Sequence, residues 1–365
     1  MGACVTRPRV TGGRQPDLEG LRAIASLMVF ASHLPWYQYY PGGLWAAAPS
    51  WLSPRAPIFG AGGFAVVLFL VLSGTGLCRL LVLKAPPLVR YLRDRLGKLY
   101  SIYWSIAVPV LVISFAITWL PLSQLPGVGL LLAGLALTPT TFGTIFPSWW
   151  YMGIAWQVVV AAPLLVLGMR RIRPVGVLVL TALVVLGTCW AVPALHLDYA
   201  EKALVFCRAL EVLGGMFLAL EMWPEVRERL GVSRRHAAWL VAGTIACLVA
   251  LLATGLGGRW LYRAAGLALV AIVVYAHPIE RWGARRLGRI AVYGGGFSFA
   301  VYLIHEPVLL VMRRLTGAPA GISIGTLALI SLPVVGLLAV LCTEGVARIG
   351  KARARRMTSS EGGAA

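Results

Sequence analysis

Arg22 and His33 lie eleven positions apart in an apolar stretch. At about 100° per residue, eleven helical steps return to within about 20° of the starting direction, about 16 Å further along the axis. Both side chains are therefore expected on one helix face. A guanidinium that keeps its charge at one end and an imidazole further in suit a donor with an anionic head and a reactive group on a long arm, a shape that acyl-CoA has. Taken singly, Arg22 reads as snorkelling to headgroups and His33 as bonding a neighbouring carbonyl; the same-face pair favours chemistry. His305 and Glu306 are adjacent and so diverge by about 100°, which predicts that only one of them shares a face with a given pocket. His305 is expected at the depth of His33, with Pro307 disturbing the helix there. Arg208 and Glu211 stand at i, i+3 and satisfy each other as a structural ion pair, and Arg263 is a further ionisable group near the outer edge of its run.

The elements that must position these groups cross lipid. Of 365 residues, 59% are hydrophobic and 13% charged, and the mean hydropathy is +0.81, whereas a soluble chain carries about a quarter charged residues. Apolar windows predict an all-α polytopic membrane protein with ten transmembrane helices, near 18–38, 58–80, 100–120, 149–169, 175–195, 203–221, 238–256, 260–277, 290–311 and 322–343. The run 128–137 is too short to cross and reads as re-entrant or interfacial. The domain plan is a cytoplasmic tail over 1–16, a transmembrane domain over 17–345, and a basic then polar tail over 346–365, disordered from Met357 to Ala365. Arg22 and His33 inside the first run argue for a retained span rather than a signal peptide.

Charge orients the bundle. The chain holds 33 Lys and Arg against 13 Asp and Glu, a net +20. With ten spans, 25 of the 33 basic residues fall on one side, in the segments around Arg7 to Arg14, Arg79 to Lys98, Arg170 to Arg173, Arg227 to Arg235, Arg281 to Arg289 and Arg348 to Arg356. The positive-inside rule makes that side cytoplasmic and places both termini there. The excess is thus a membrane signal, and no nucleic-acid partner is expected. Arg313 and Arg314 stand apart, at the outer end of the ninth span. Six scattered cysteines without C-x-x-C spacing read as small hydrophobes, with neither a disulfide framework nor a metal site.

Asp17-Leu-Glu-Gly-Leu-Arg22, followed by His33, resembles the opening of the acyltransferase-3 family of integral membrane acyltransferases, with its Arg, ten residues, His motif. Phe69-Leu-Val-Leu-Ser73-Gly74, the basic segment Tyr91 to Tyr100, Pro147-Ser-Trp149-Trp150, Arg208-Ala-Leu-Glu211-Val-Leu-Gly214 and Ser298 to Pro307 resemble later family elements in the same order. The resemblance covers roughly residues 17 to 310. Ala155 and Trp156 stand where many members carry acidic residues.

The resemblance implies a multi-pass protein of the bacterial cell membrane. It implies transfer of an acyl group, usually acetyl, from cytosolic acyl-CoA to a hydroxyl of a carbohydrate or other glycosylated acceptor. A sugar hydroxyl is a poor nucleophile, and an imidazole, with an ordinary pKa near about 6.5, is the natural base to deprotonate it. His33 is therefore the expected general base, with His305 orienting the base or the acceptor. Arg22, Arg93, Arg95 and Lys98 are the candidates for the donor's phosphates, and Trp150, Glu306 and Ser73 for the substrate. No metal is called for. Ser73-Gly74 and Gly294-Gly-Gly296 also suit close helix packing. A reading from another class is a proton-coupled transporter or flippase using the His and Glu residues as a relay, against which stand the absence of inverted halves and of paired broken helices.

Overall fold

The computed structural model describes residues 15–39, 57–116, 149–194, 205–253, 259–276, 285–315 and 323–361. These form α1 (Pro16–Tyr39), α2 (Pro57–Leu83), α3 (Leu88–Ala116), α4 (Trp150–Arg171), α5 (Arg173–Ala194), α6 (Val205–Met222), a short α7 (Pro224–Arg229), α8 (Arg234–Ala253), α9 (Arg259–Ala276), α10 (Arg285–Leu315) and α11 (Ile324–Glu361). No strand occurs among the described residues. Among the described residues, each of the ten expected spans overlaps one long helix.

Among the described residues, five stretches are long and apolar enough to cross a bilayer: Ala61–Leu83, Trp150–Arg171, Arg234–Leu251, Arg286–Arg313 and Ile324–Ile349. Helices α5 and α9 contribute the shorter apolar stretches Arg173–Thr188 and Leu261–Ala276, while α1, α3 and α6 carry the charged residues described below. Large apolar side chains such as Leu164, Leu183, Trp239, Leu329 and Leu341 are exposed. An unpaired surface of that composition is what lipid, not water, covers, so the protein is an integral membrane protein.

Two expectations are corrected. The stretch from Met357 to Glu361, read as disordered, continues α11 as helix. Pro307 does not disturb α10, which runs unbroken to Leu315; the reason emerges at the site. The expected re-entrant run 128–137 lies outside the described residues, as does Met1 to Arg14.

Helix α1 packs most extensively on α10 and then on α2, while α2 packs on α6. Small residues permit these approaches. A Cβ on Gly295 would collide with Glu19, one on Gly74 with the Val212 carbonyl, and one on Gly215 with the Val71 carbonyl. Without water to drive helices together, backbones that close exchange dispersion contact along their length. Hence the Gly294–Gly296 run and Gly74 act as packing elements, and they bring the charged turn of α1 directly onto α10 and α2.

Candidate active site

At the first turns of α1, Asp17 and Glu19 are buried next to the helix N-terminus, whose partial positive charge suits them. Glu19 forms an ion pair with Arg22, and Arg22 Nη2 donates to the Leu72 carbonyl of α2 at 3.2 Å. The guanidinium is thereby held across α1 and α2 with 28% of its side chain exposed. It faces a cavity of about 490 Å³ whose lining includes Glu19, Arg22, Ser73, Arg95, Lys98 and Tyr151. One carboxylate against three cations leaves that wall net positive.

Arg95 and Lys98 reach the cavity together because i, i+3 positions share a helix face. Arg93 does not. It lies about 200° round α3 from Arg95, is 77% exposed and pairs with Asp94 at 3.5 Å. Trp150 is also absent from the lining. Its neighbours on either side, Trp149 and Tyr151, take the inward positions.

Three rings from three helices, Phe69, Tyr151 and Tyr302, line the cavity and lie against one another. Their centroids lie 5.8 Å (Phe69 to Tyr151), 6.1 Å (Phe69 to Tyr302) and 5.1 Å (Tyr151 to Tyr302) apart, all within aromatic contact range. Ser73 hydrogen-bonds Tyr151. Behind this layer Tyr302 touches the ring of His305, at 5.8 Å, and His305 meets His33 edge to face at 4.9 Å.

His33 sits between both members of the α10 pair. Its Nδ1 is 2.9 Å from the Val29 carbonyl and 3.4 Å from His305 Nε2, and its Nε2 is 3.5 Å from Glu306 Oε1. The expectation that only one of His305 and Glu306 could serve the site is therefore corrected. An imidazole has nitrogens on two sides, and a ring lying between two side chains about 100° apart meets both. His305 and Glu306 are fully buried, whereas His33 keeps 24% of its side chain exposed, so His33 is the member a substrate can reach.

Proton positions follow from the carbonyls. A carbonyl oxygen only accepts, so the 2.6 Å contact of His305 Nδ1 with the Tyr302 carbonyl puts a proton on that nitrogen and leaves Nε2 as acceptor. By the same logic His33 Nδ1 carries a proton, donated to Val29 and shared towards His305. His33 Nε2 is then the basic nitrogen. At 3.5 Å, the carboxylate of Glu306 is beyond hydrogen-bond length yet close enough to stabilise an imidazolium. The three residues could also attract a metal, since their ligand atoms lie within 4.8 Å of one another. However, His305 Nε2 is directed to the Nδ1–H of His33, which describes a proton chain better than a coordination sphere.

Pro307 helps to set this centre. Proline lacks an N–H, so the carbonyl four residues earlier, that of Leu303, loses its helical donor. Trp149 Nε1 donates to that same carbonyl at 2.9 Å from a fully buried position packed on Tyr103. The indole thus replaces the missing bond where α10 continues as helix through Pro307, and it fastens the start of α4 one turn from His305 and Glu306. This makes Trp149→Phe costliest while residue 307 is proline. Trp149→Phe should lower stability by about 1–3 kcal/mol, the usual cost of orphaning a buried polar group. In a Pro307→Ala background, where the helix supplies its own N–H, the same change should cost clearly less, as a double-mutant cycle of unfolding would record.

Away from the cavity, Glu211 receives Arg208 at 3.2 Å and Arg263 at 3.3 Å, and Arg263 also donates to the Cys207 carbonyl at 2.7 Å. The expected Arg208–Glu211 pair is present and Arg263 joins it, so this motif ties α6 to α9 rather than serving the cavity.

A bundle of apolar helices enclosing a basic cavity and a histidine–carboxylate centre defines a membrane-embedded enzyme of group transfer. The family model described as an acyltransferase domain, Acyl_transf_3, matches residues 15–343, nearly the whole chain, and the protein belongs to the acyltransferase-3 family. It is an acyltransferase, and that membership favours the enzyme over the transporter reading. Comparisons with curated proteins and with solved structures give no significant match.

Proposed function

We propose that the protein transfers a short acyl group, acetyl in the simplest case, from cytosolic acyl-CoA to a hydroxyl of a carbohydrate or glycosylated acceptor, with His33 as general base. One observation carries the reading. The helix that places Arg22 on the wall of a basic cavity also places His33, eleven residues on, between His305 and Glu306. The ten long helices cross the membrane with both termini cytoplasmic, which puts Arg22, Arg95 and Lys98 towards the cytosol and His33 in the outer half.

In the reaction His33 Nε2 takes the acceptor's hydroxyl proton as its oxygen attacks the thioester carbonyl carbon. A C–O bond forms, the C–S bond breaks, and the imidazolium returns the proton to the leaving thiolate. Glu306 stabilises the imidazolium, and His305 fixes the ring through Nδ1. The acceptor class is tested by mass spectrometry of glycans and secreted metabolites from cells with and without the protein; a mass difference of one acyl group identifies it, and its absence from every hydroxylated product overturns the reading.

Donor binding gives a separate check. Arg22→Ala is expected to raise the apparent donor KM by roughly one to two orders of magnitude, the equivalent of a charge-assisted contact worth about 1.5–3 kcal/mol. Arg22→Lys should rescue only partly, because an ammonium cannot bridge Glu19, the Leu72 carbonyl and a phosphate together. Donor affinity should also weaken with salt, since the mouth of the cavity is screened over about 8–10 Å. A fall in kcat at constant donor KM would instead assign Arg22 to holding α1 against α2.

A further inference from the structure

Among the described residues, the lining of the donor cavity stops short of the proposed base. The cavity lining includes Phe69, Tyr151 and Tyr302 but none of His33, His305 and Glu306. The three rings are pairwise in contact, and each is at least nine-tenths buried. With acyl-CoA entering from the basic end, its thioester must pass this layer before an acceptor oxygen at His33 can attack it. Beyond the layer His305 and Glu306 are fully buried, and Val29, Leu34, Ile304 and Val308, on the same two helices, are buried as well.

We infer that Phe69, Tyr151 and Tyr302 form an acyl-selecting gate, which passes the reactive end of a short-chain acyl thioester to His33 and excludes long-chain donors. The inference rests on the proposed acyl-CoA reaction and adds what decides the donor's acyl group. The layer is built to part in one place. Tyr151 is held by Ser73, and Tyr302 stands three residues before His305 with its own carbonyl holding that imidazole. Both tyrosines are thus tied to the machinery. Phe69 carries no polar group to anchor it, and rotation of its ring about χ1 and χ2 opens the layer without breaking a hydrogen bond. The resulting opening is about one ring wide and apolar, which suits a few methylene groups, while the packed centre behind offers no place for a long tail.

The layer also serves the membrane. While the rings meet, the basic cavity stays separated from the outer half of the bundle, so opening only for an occupying thioester avoids a continuous polar path through the bilayer.

The test measures release of the CoA thiol by full-length protein purified in octyl glucoside, with water and the detergent's sugar hydroxyls offered as acceptors, from acetyl-, butyryl- and octanoyl-CoA. The wild-type protein should prefer acetyl-CoA, and Phe69→Ala should shift the kcat/KM ratio of octanoyl- to acetyl-CoA upward by at least tenfold. Phe69→Trp fills the layer, and should lower kcat for every donor without raising that ratio; it also decides the matter if the alanine variant does not fold. An unchanged ratio in a folded Phe69→Ala protein, or wild-type kcat for all three donors in a folded Phe69→Trp protein, overturns the gate while leaving the acyl-CoA reaction standing. Absence of thiol release from any donor by the wild-type protein would instead overturn the donor reading, and the gate with it.

Discussion

His33→Ala is expected to abolish acyl transfer while leaving expression and membrane insertion intact. General-base catalysis contributes about 10²–10⁴-fold, and no neighbour can take over. His305 Nε2 faces the Nδ1–H of His33, and His305 is closed off from substrate by burial. The substitution removes a polar group from lipid depth without adding a charge, so folding should not suffer. His305→Ala should cost less, because it removes the partner that fixes the base rather than the base itself. Single-turnover measurements on both variants check this ordering; near wild-type turnover in folded His33→Ala would remove it from the role of base.

Why one half of this centre was readable in the sequence and the other was not follows from how each signal is encoded. Arg22 and His33 share a helix, so their relation is a local matter of helical spacing. The ion pair of Arg208 and Glu211 is local for the same reason. The approach of Glu306 to His33 depends on α10 lying against α1, which the glycines at 294 to 296 permit but no spacing rule announces. The meeting of Phe69, Tyr151 and Tyr302 in one layer was hidden for a different reason. In a chain that is 59% hydrophobic, an aromatic residue in a span looks alike whether it faces lipid, core or cavity. Trp149 did leave a signal. An indole N–H in an apolar run needs an acceptor, and a proline inside another span leaves a carbonyl without its donor; pairing those two needs would have drawn attention to Trp149 rather than Trp150. Segment charge groups Arg93 with Arg95 and Lys98, whereas the lining of the cavity follows the helix face.

Glu306→Gln should disable the enzyme as severely as the loss of the base, by about 10²-fold or more, although it changes only one oxygen for one nitrogen. His33 Nδ1 is committed to the Val29 carbonyl at 2.9 Å, so catalysis depends on the lone pair of Nε2, 3.5 Å from the Glu306 carboxylate. A carboxylate has no proton to donate there, so it leaves that lone pair available and stabilises the positive ring once the acceptor's proton has moved. The glutamine amide offers an N–H at the same place. It can bond Nε2 and occupy the lone pair, and it supplies no charge for the imidazolium. Glu306→Ala removes the charge but cannot block the nitrogen, so it should retain more activity than Glu306→Gln. Glu306→Asp keeps the charge on a shorter stem and should be the mildest of the three. The measurement is kcat for the three variants against donor KM, which should stay near the wild-type value because the carboxylate lies behind the rings and away from the phosphate-facing cations. Equal losses for alanine and glutamine would mean that the charge alone matters, and an active glutamine variant would show that His33 works without its carboxylate.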